Sequence, residues 1–399
     1  MGSLTISNGL VESETATPAT QSPFYKFFRI FVSSNPTVSV LIMRVINSFL
    51  VAITFFALLV LSSGRARIAI LSSWTVTISP IIISTLSQTT PRSWSYLAGM
   101  SSWAFLYLAL TAPSHTRQAL RLWVLYAFSM ILAFTSRWDG TLMALFSSGL
   151  LISIHLLQTK AISYKKFLIV GLAGVVAFGV LRLFIPRLAA YSTFSFSQSF
   201  NGGSALFQLI HTAENIADGL GLGIRYHDLG PNLIGIIGIS VFVATLTVAL
   251  NRPNQWQITA ISAIIGFIFV SMFRISMNWV EATGPYGIYT VQLLTVLIGI
   301  TIVYSDSNRL LFEQPASRYL LVALISVGHM LTLFSRMEWA VRPSDNLKDT
   351  YSNLSLNGGW WWNSPIGPNT VFAIGTIAFP AWLLISWSVV SKTSTEVSS

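Results

Sequence analysis

Long apolar runs, broken only by short polar stretches, follow one another along most of this chain. About twenty consecutive apolar residues cross a bilayer core. Runs of that kind occur at Val38–Leu61, Ile68–Leu86, Trp94–Ala112, Gln118–Phe134, Thr141–Leu157 and Phe167–Ile185. They recur at Asn232–Leu250, Ile258–Phe273, Tyr286–Tyr304, Tyr319–Phe334 and Thr370–Val390. Inside lipid only helices and closed barrels satisfy their own backbone, and barrel strands would alternate apolar with polar residues. The pattern therefore predicts an all-α fold, a polytopic transmembrane helical bundle of about eleven spans.

Three stretches depart from that rhythm. Residues 1–37 are polar and rich in Ser and Thr, and lack the basic-then-apolar order of a signal peptide. The segment 186–231 holds Leu206, Leu209, Ile210, Ala213, Ile216, Ala217 and Leu220 at helical spacing. Gln208, His211, Glu214, Asn215 and Asp218 take the opposite face, which predicts an amphipathic helix on the outer surface, closed by Gly221 and Gly223. The segment 335–369 is polar and carries Trp360-Trp361-Trp362. The domain reading is a polar N-terminal segment 1–37, a transmembrane domain 38–390 with outer loops 186–231 and 335–369, and a cytoplasmic tail 391–399.

Composition agrees with a membrane chain: 53% of the 399 residues are hydrophobic, 9% are charged, and mean hydropathy is +0.66. The net charge of +10 is spread one or two bases per loop, as topology signals are, so nucleic acid is not the expected partner. Counted loop by loop, the bases divide evenly, eleven to a face. Arg65, Arg67, Arg117, Arg121, Lys160, Lys165, Lys166, Arg252, Arg309, Arg318 and Lys392 lie mostly in short loops, which places that face in the cytoplasm. The other face holds ten of the thirteen acids and the long loops. An odd number of spans then leaves Met1 outside without an export signal, which implies an upstream helix or a miscounted span. Zero cysteines exclude disulfides and thiolate chemistry, and the five histidines show no ligand spacing. No Walker or dinucleotide glycine motif occurs, so no cofactor is evident; a divalent metal is compatible with the acids, but no residue pattern calls for one.

The candidate chemistry gathers at the outer ends. Arg92 and Trp94 close one hairpin, and Arg137, Trp138 and Asp139 interrupt two apolar runs at the next. His227 and Asp228 end the long loop, and Glu281 and Tyr286 lie between two later spans. Arg44 sits inside a span near its outer end, where a charge is costly unless it pairs or reaches the interface. Indoles beside carboxylates and arginines suit a sugar phosphate, the arginines holding the phosphate and the acids the hydroxyls. The competing explanation for each aromatic is the interfacial belt, and for each arginine snorkelling.

The order of several short motifs resembles a bacterial predicted-membrane-protein family, domain of unknown function 2142. The matching pieces are Met43-Arg44-Val45-Ile46-Asn47, Pro80 with Ser93-Trp94, Ser136–Gly140, Gly219–Gly223 with Asp228 and Pro231, Gly284-Pro285-Tyr286, and Gly359–Pro365. They span residues 23 to 390. The family is similar in layout to membrane glycosyltransferases that use polyprenyl-phosphate sugars, which implies a donor in the outer half of the membrane. Those enzymes carry a catalytic acid in a first outer loop, which in this numbering would precede Pro23-Phe24-Tyr25, and Glu12 and Glu14 are poor substitutes. Pro285 also stands where the family has an arginine. The resemblance thus implies a glycosyltransferase-like protein of the cell envelope, in the cell membrane, with membrane lipids and a polyprenyl-phosphate sugar as partners. A truncated, inactive member, a lipid-linked-glycan carrier or flippase, and an envelope assembly partner stay open beside it. The catalytic residue and the oligomeric state are not legible in the chain.

Overall fold

A computed structural model of the chain describes residues 23–78, 80–113, 115–136, 138–160, 231–251, 253–278, 291–305, 315–341 and 366–397. Every regular element among them is a helix. In chain order they are α1 (Pro23–Phe28, followed by a 3₁₀ turn Arg29–Phe31), α2 (Pro36–Leu61), α3 (Gly64–Thr77), α4 (Pro80–Leu86), α5 (Pro91–Thr111) and α6 (Arg117–Thr135). Then follow α7 (Trp138–Gln158), α8 (Pro231–Ala249), α9 (Gln255–Asn278), α10 (Val291–Val303), α11 (Pro315–Val341) and α12 (Pro368–Val397). The predicted span Phe167–Ile185 and the amphipathic helix of 206–220 lie outside the described residues.

The starts follow local chemistry. Asn35 caps α2, its Oδ1 accepting from the backbone N–H of Thr37 and Val38, and Thr116 caps α6 through Ala119 N–H. Proline occupies the first turn of α2 and α5, where its missing N–H costs nothing.

Three departures from the sequence expectation have physical causes. The run read as one span over Ile68–Leu86 is two helices, broken between Thr77 and Pro80, because proline cannot donate into the ladder and restricts the residue before it. Part of the polar N-terminal segment is not a tail. Phe24 and Phe28 of α1 are buried in the bundle, their aromatic area outweighing the Ser-rich surroundings. Helices α11 and α12 also extend into the loop assigned to 335–369, reaching Val341 and starting at Pro368, and α12 runs on through the predicted tail to Val397.

Helix α5 is the hub. Ser93 through Leu106 are buried without interruption, with α6, α7, α10, α2 and α4 packed around them. Helix α10 is buried from Gln292 through Val303, and α3 is buried from Ala69 through Thr75. Helices α3 and α10 run antiparallel, since Arg65 donates to the Ser305 carbonyl at one end and the Thr77 and Thr295 hydroxyls share a 2.8 Å bond at the other.

The outer ring is inside out relative to a water-soluble protein. In α2 the buried residues include Ser39, Asn47 and Thr54, while Leu41, Ile42, Val45, Phe49, Ile53, Phe56 and Val60 are exposed. Helix α6 likewise buries Ser129 and exposes Leu120, Val124, Phe128, Ile131 and Phe134. Such a surface suits an apolar surrounding, as in a membrane protein. Among the described residues four helices, α2, α6, α7 and α12, are long and apolar enough to cross a membrane, and α8, α9, α10 and α11 hold shorter apolar stretches.

Candidate functional site

The N-termini of α5 and α7 lie side by side at one end of the bundle. Gly140 in the first turn of α7 rests on Ser95 of α5, so closely that a β-carbon there would sit 2.9 Å from the Ser95 Cα. The hairpin behind it is closed by Ser136 and Thr141, whose hydroxyls both donate to the Ala133 carbonyl at 2.9 and 2.8 Å. This packing brings two of the predicted groups together, Arg92 with Trp94 and the turn that carries Trp138 and Asp139. Parallel helix N-termini present partial positive charge, which favours an anion.

Trp94 sits at the centre of a fastening. Its Nε1 donates to Asn47 Oδ1 of α2 at 3.1 Å, and Asn47 Nδ2 donates to the Gln88 carbonyl in the α4–α5 turn at 2.6 Å. Asn47 is 1% exposed and Trp94 9%. The indole is packed by Phe24, Phe27 and Phe28, with ring centroids 4.9, 5.5 and 5.9 Å away. Thus α1, α2, the turn and α5 are tied at one point. In this structure Trp94 serves as that tie, and its indole N–H is taken up within the protein.

Arg44 precedes Asn47 by one helical turn, and Arg92 precedes Trp94 by two residues; both are exposed at this end. Arg137, His227, Asp228, Glu281 and Tyr286 lie outside the described residues, as do the side chains of Trp138 and Asp139. Among the described residues no group of three His, Asp or Glu is placed to hold a metal ion.

The opposite end carries a polar arrangement that the sequence reading passed over. Asn254 Oδ1 caps α9 through the N–H of Trp256 and Gln257, while its Nδ2 donates to the Tyr304 carbonyl at 2.6 Å. Gln257 Nε2 donates to the Ala249 and Thr301 carbonyls at 3.1 and 2.7 Å, and Ser305 Oγ donates to Ala249 O at 2.9 Å. Arg65 reaches the Ser305 carbonyl, and Tyr107 meets Tyr304 edge-on at 6.2 Å. Gln118 Nε2 bonds the Leu61 carbonyl at 3.4 Å. The readable signal was Asn254 followed three residues later by Gln257, a helix-start pair close to the capping box. These bonds go to backbone carbonyls at helix ends, so they seal the bundle rather than present groups to a substrate. They also gather at one end the loops that charge counting assigned to one face.

No family model matches the chain, and neither the curated proteins nor the solved structures contain a match.

Proposed function

We propose that the chain is a cell-membrane protein of about eleven spans that binds the phosphate of a polyprenyl-phosphate-linked sugar and acts as a glycosyltransferase-like protein of the cell envelope. The observation that carries this reading is the pairing of the α5 and α7 N-termini through Ser95 and Gly140, with Arg44 and Arg92 exposed at the same end. Two helix N-termini and two guanidiniums favour a phosphate, and the exposed apolar stripe of α2 beside them favours a lipid tail. Asp139, at the start of α7, is the carboxylate nearest in sequence to this contact and is assigned to the sugar hydroxyls. Arg137, His227, Asp228, Glu281 and Tyr286 belong to the same proposal.

The test is a transfer assay with radiolabelled polyprenyl-phosphate sugar in reconstituted vesicles. Arg44→Gln with Arg92→Gln is expected to raise KM at least about tenfold, the loss of roughly 1.4 kcal/mol of phosphate binding. Asp139→Asn is expected to lower kcat, and unchanged turnover in it would remove Asp139 from the reaction.

A carrier is the second reading, favoured by polar atoms in the core helices that meet no hydrogen-bonding partner: Ser72 and Thr75 on α3, Ser102 and Trp103 on α5, and Gln292 on α10. A lipid-linked substrate that crosses vesicles without being consumed would establish the carrier in place of the enzyme.

A further inference from the structure

Residues 23–32 belong by sequence to the polar N-terminal segment, yet they form α1 and its 3₁₀ turn against the Trp94 end of the bundle. One side is buried: Phe24 and Phe28, one helical turn apart, pack on the Trp94 indole. The remaining surface is apolar too. Tyr25 and Phe27 are exposed, Ile30 is 73% and Val32 63% exposed, and the only charged side chains among them are Lys26 and Arg29, both exposed. A lone apolar side chain on a water-facing surface is ordinary, but four within eight positions, with bases between them, form a patch that water disfavours.

The patch does not end at Val32. Beyond the turn, Val38, Leu41, Ile42 and Val45 of α2 are exposed, and they open the apolar stripe that runs along that helix to Val60. The turn between is held by hydrogen bonds. Ser33 N–H donates to Ser39 Oγ at 2.8 Å, Asn35 N–H donates to Ser33 Oγ at 3.2 Å, and Asn35 caps α2. With the aromatic clasp on Trp94 at one end and the Ser33–Ser39 bond at the other, α1 is fixed at the head of the stripe.

Each residue type here matches a depth in a phospholipid leaflet. Aromatic rings settle at the headgroup level, aliphatic side chains at the top of the acyl region, and Lys and Arg reach from there to the phosphates. We propose that residues 25–32 lie in the headgroup–acyl boundary of the leaflet at the Trp94 end, as an in-plane anchor whose Lys26 and Arg29 bind lipid phosphates. The occupant is phospholipid rather than a protein partner because the patch is continuous with the exposed apolar stripe of α2 and both of its charges are positive.

The experiment uses the absence of cysteine from the chain. Ile30→Cys in the full chain is labelled with an environment-sensitive fluorophore. The protein is reconstituted in vesicles of phosphatidylcholine and phosphatidylglycerol that carry a nitroxide either near the headgroup or near the chain end. Phe49→Cys, on the exposed stripe of α2, marks the depth of the span, and Val32→Cys repeats the reading at a second exposed position. The shallow nitroxide is expected to quench the Ile30 and Val32 labels at least about twofold more than the deep one, with the reverse order at Phe49. Lys26→Glu with Arg29→Glu should cut the shallow quenching at Ile30 by about half and leave Phe49 unchanged. Four outcomes overturn the proposal. Quenching by aqueous iodide but by neither nitroxide puts α1 in water; quenching by none of the three puts it under protein. Labels that follow the depth order of Phe49 make 25–32 part of a span, and shallow quenching that the charge reversals leave intact refutes the phosphate contacts.

Discussion

Asn47 shows how much one buried amide can hold. Its carbonyl oxygen takes the Trp94 N–H and its amine gives to Gln88, so both ends of the side chain are spent on different segments. In Asn47→Ala the Trp94 donor and the Gln88 carbonyl lose their partner together. Stability should fall by about 1–3 kcal/mol, read as a lower melting midpoint in detergent. A double-mutant cycle with Trp94→Phe should return a coupling of about 0.5–3 kcal/mol; additive losses would show that the pair does not act as a unit. Both residues were visible in the sequence, Asn47 at the end of Met43–Asn47 and Trp94 beside Ser93. Their partnership was not, because forty-seven positions separate them and an indole at a span end looks the same facing lipid, sugar or amide.

At the scale of elements, prolines and glycines decide shape according to what surrounds them. Pro80 separates α3 from α4, yet α12 continues through Pro380. Composition cannot tell the two cases apart. Glycines divide in the same way. Gly299 of α10 meets the Trp103 indole so closely that a β-carbon would overlap the ring, whereas Gly266 of α9 has nothing within 4 Å. Gly299→Ala should therefore destabilise the protein by about 1–3 kcal/mol, and Gly266→Ala should be neutral or stabilising by up to about 1 kcal/mol. Thermal unfolding of the two variants side by side checks this, and equal midpoints would mean that the Trp103 ring can shift.

At the scale of the molecule, the helical class was legible, and among the described residues the apolar runs fall on helices apart from the break at Pro80; which helices are neighbours was not legible. An apolar run has the same sequence signature whether it faces lipid or protein. The inward faces are marked only by scattered polar residues, among them Asn47 on α2, Thr77 on α3 and Gln292 on α10, and these identify partners only once the partner is known. That the starts of α5 and α7 share one end of the bundle was legible from hairpin alternation, while the burial of Trp94 was not. The orientation assigned by charge can be tested on a chain with no cysteine. With single substitutions, Ser87→Cys at the Trp94 end should react with a membrane-impermeant maleimide in intact cells. Thr159→Cys at the Arg65 end should react only after permeabilisation, and the reverse pattern would invert the topology.

The burial of α5 and α3 has a consequence for how the protein is made. The helix that covers them, α10, contributes Thr295 to a bond with Thr77 across 218 residues and Ser305 to the Arg65 contact across 240. During synthesis α3 and α5 are therefore made long before the segment that packs against them has left the ribosome. Gly99 and Thr77, which meet Gln292 and Thr295, must wait for them in the meantime. Closure of the core therefore waits on α10, because Thr77 meets the Thr295 hydroxyl only once that distant segment is in place.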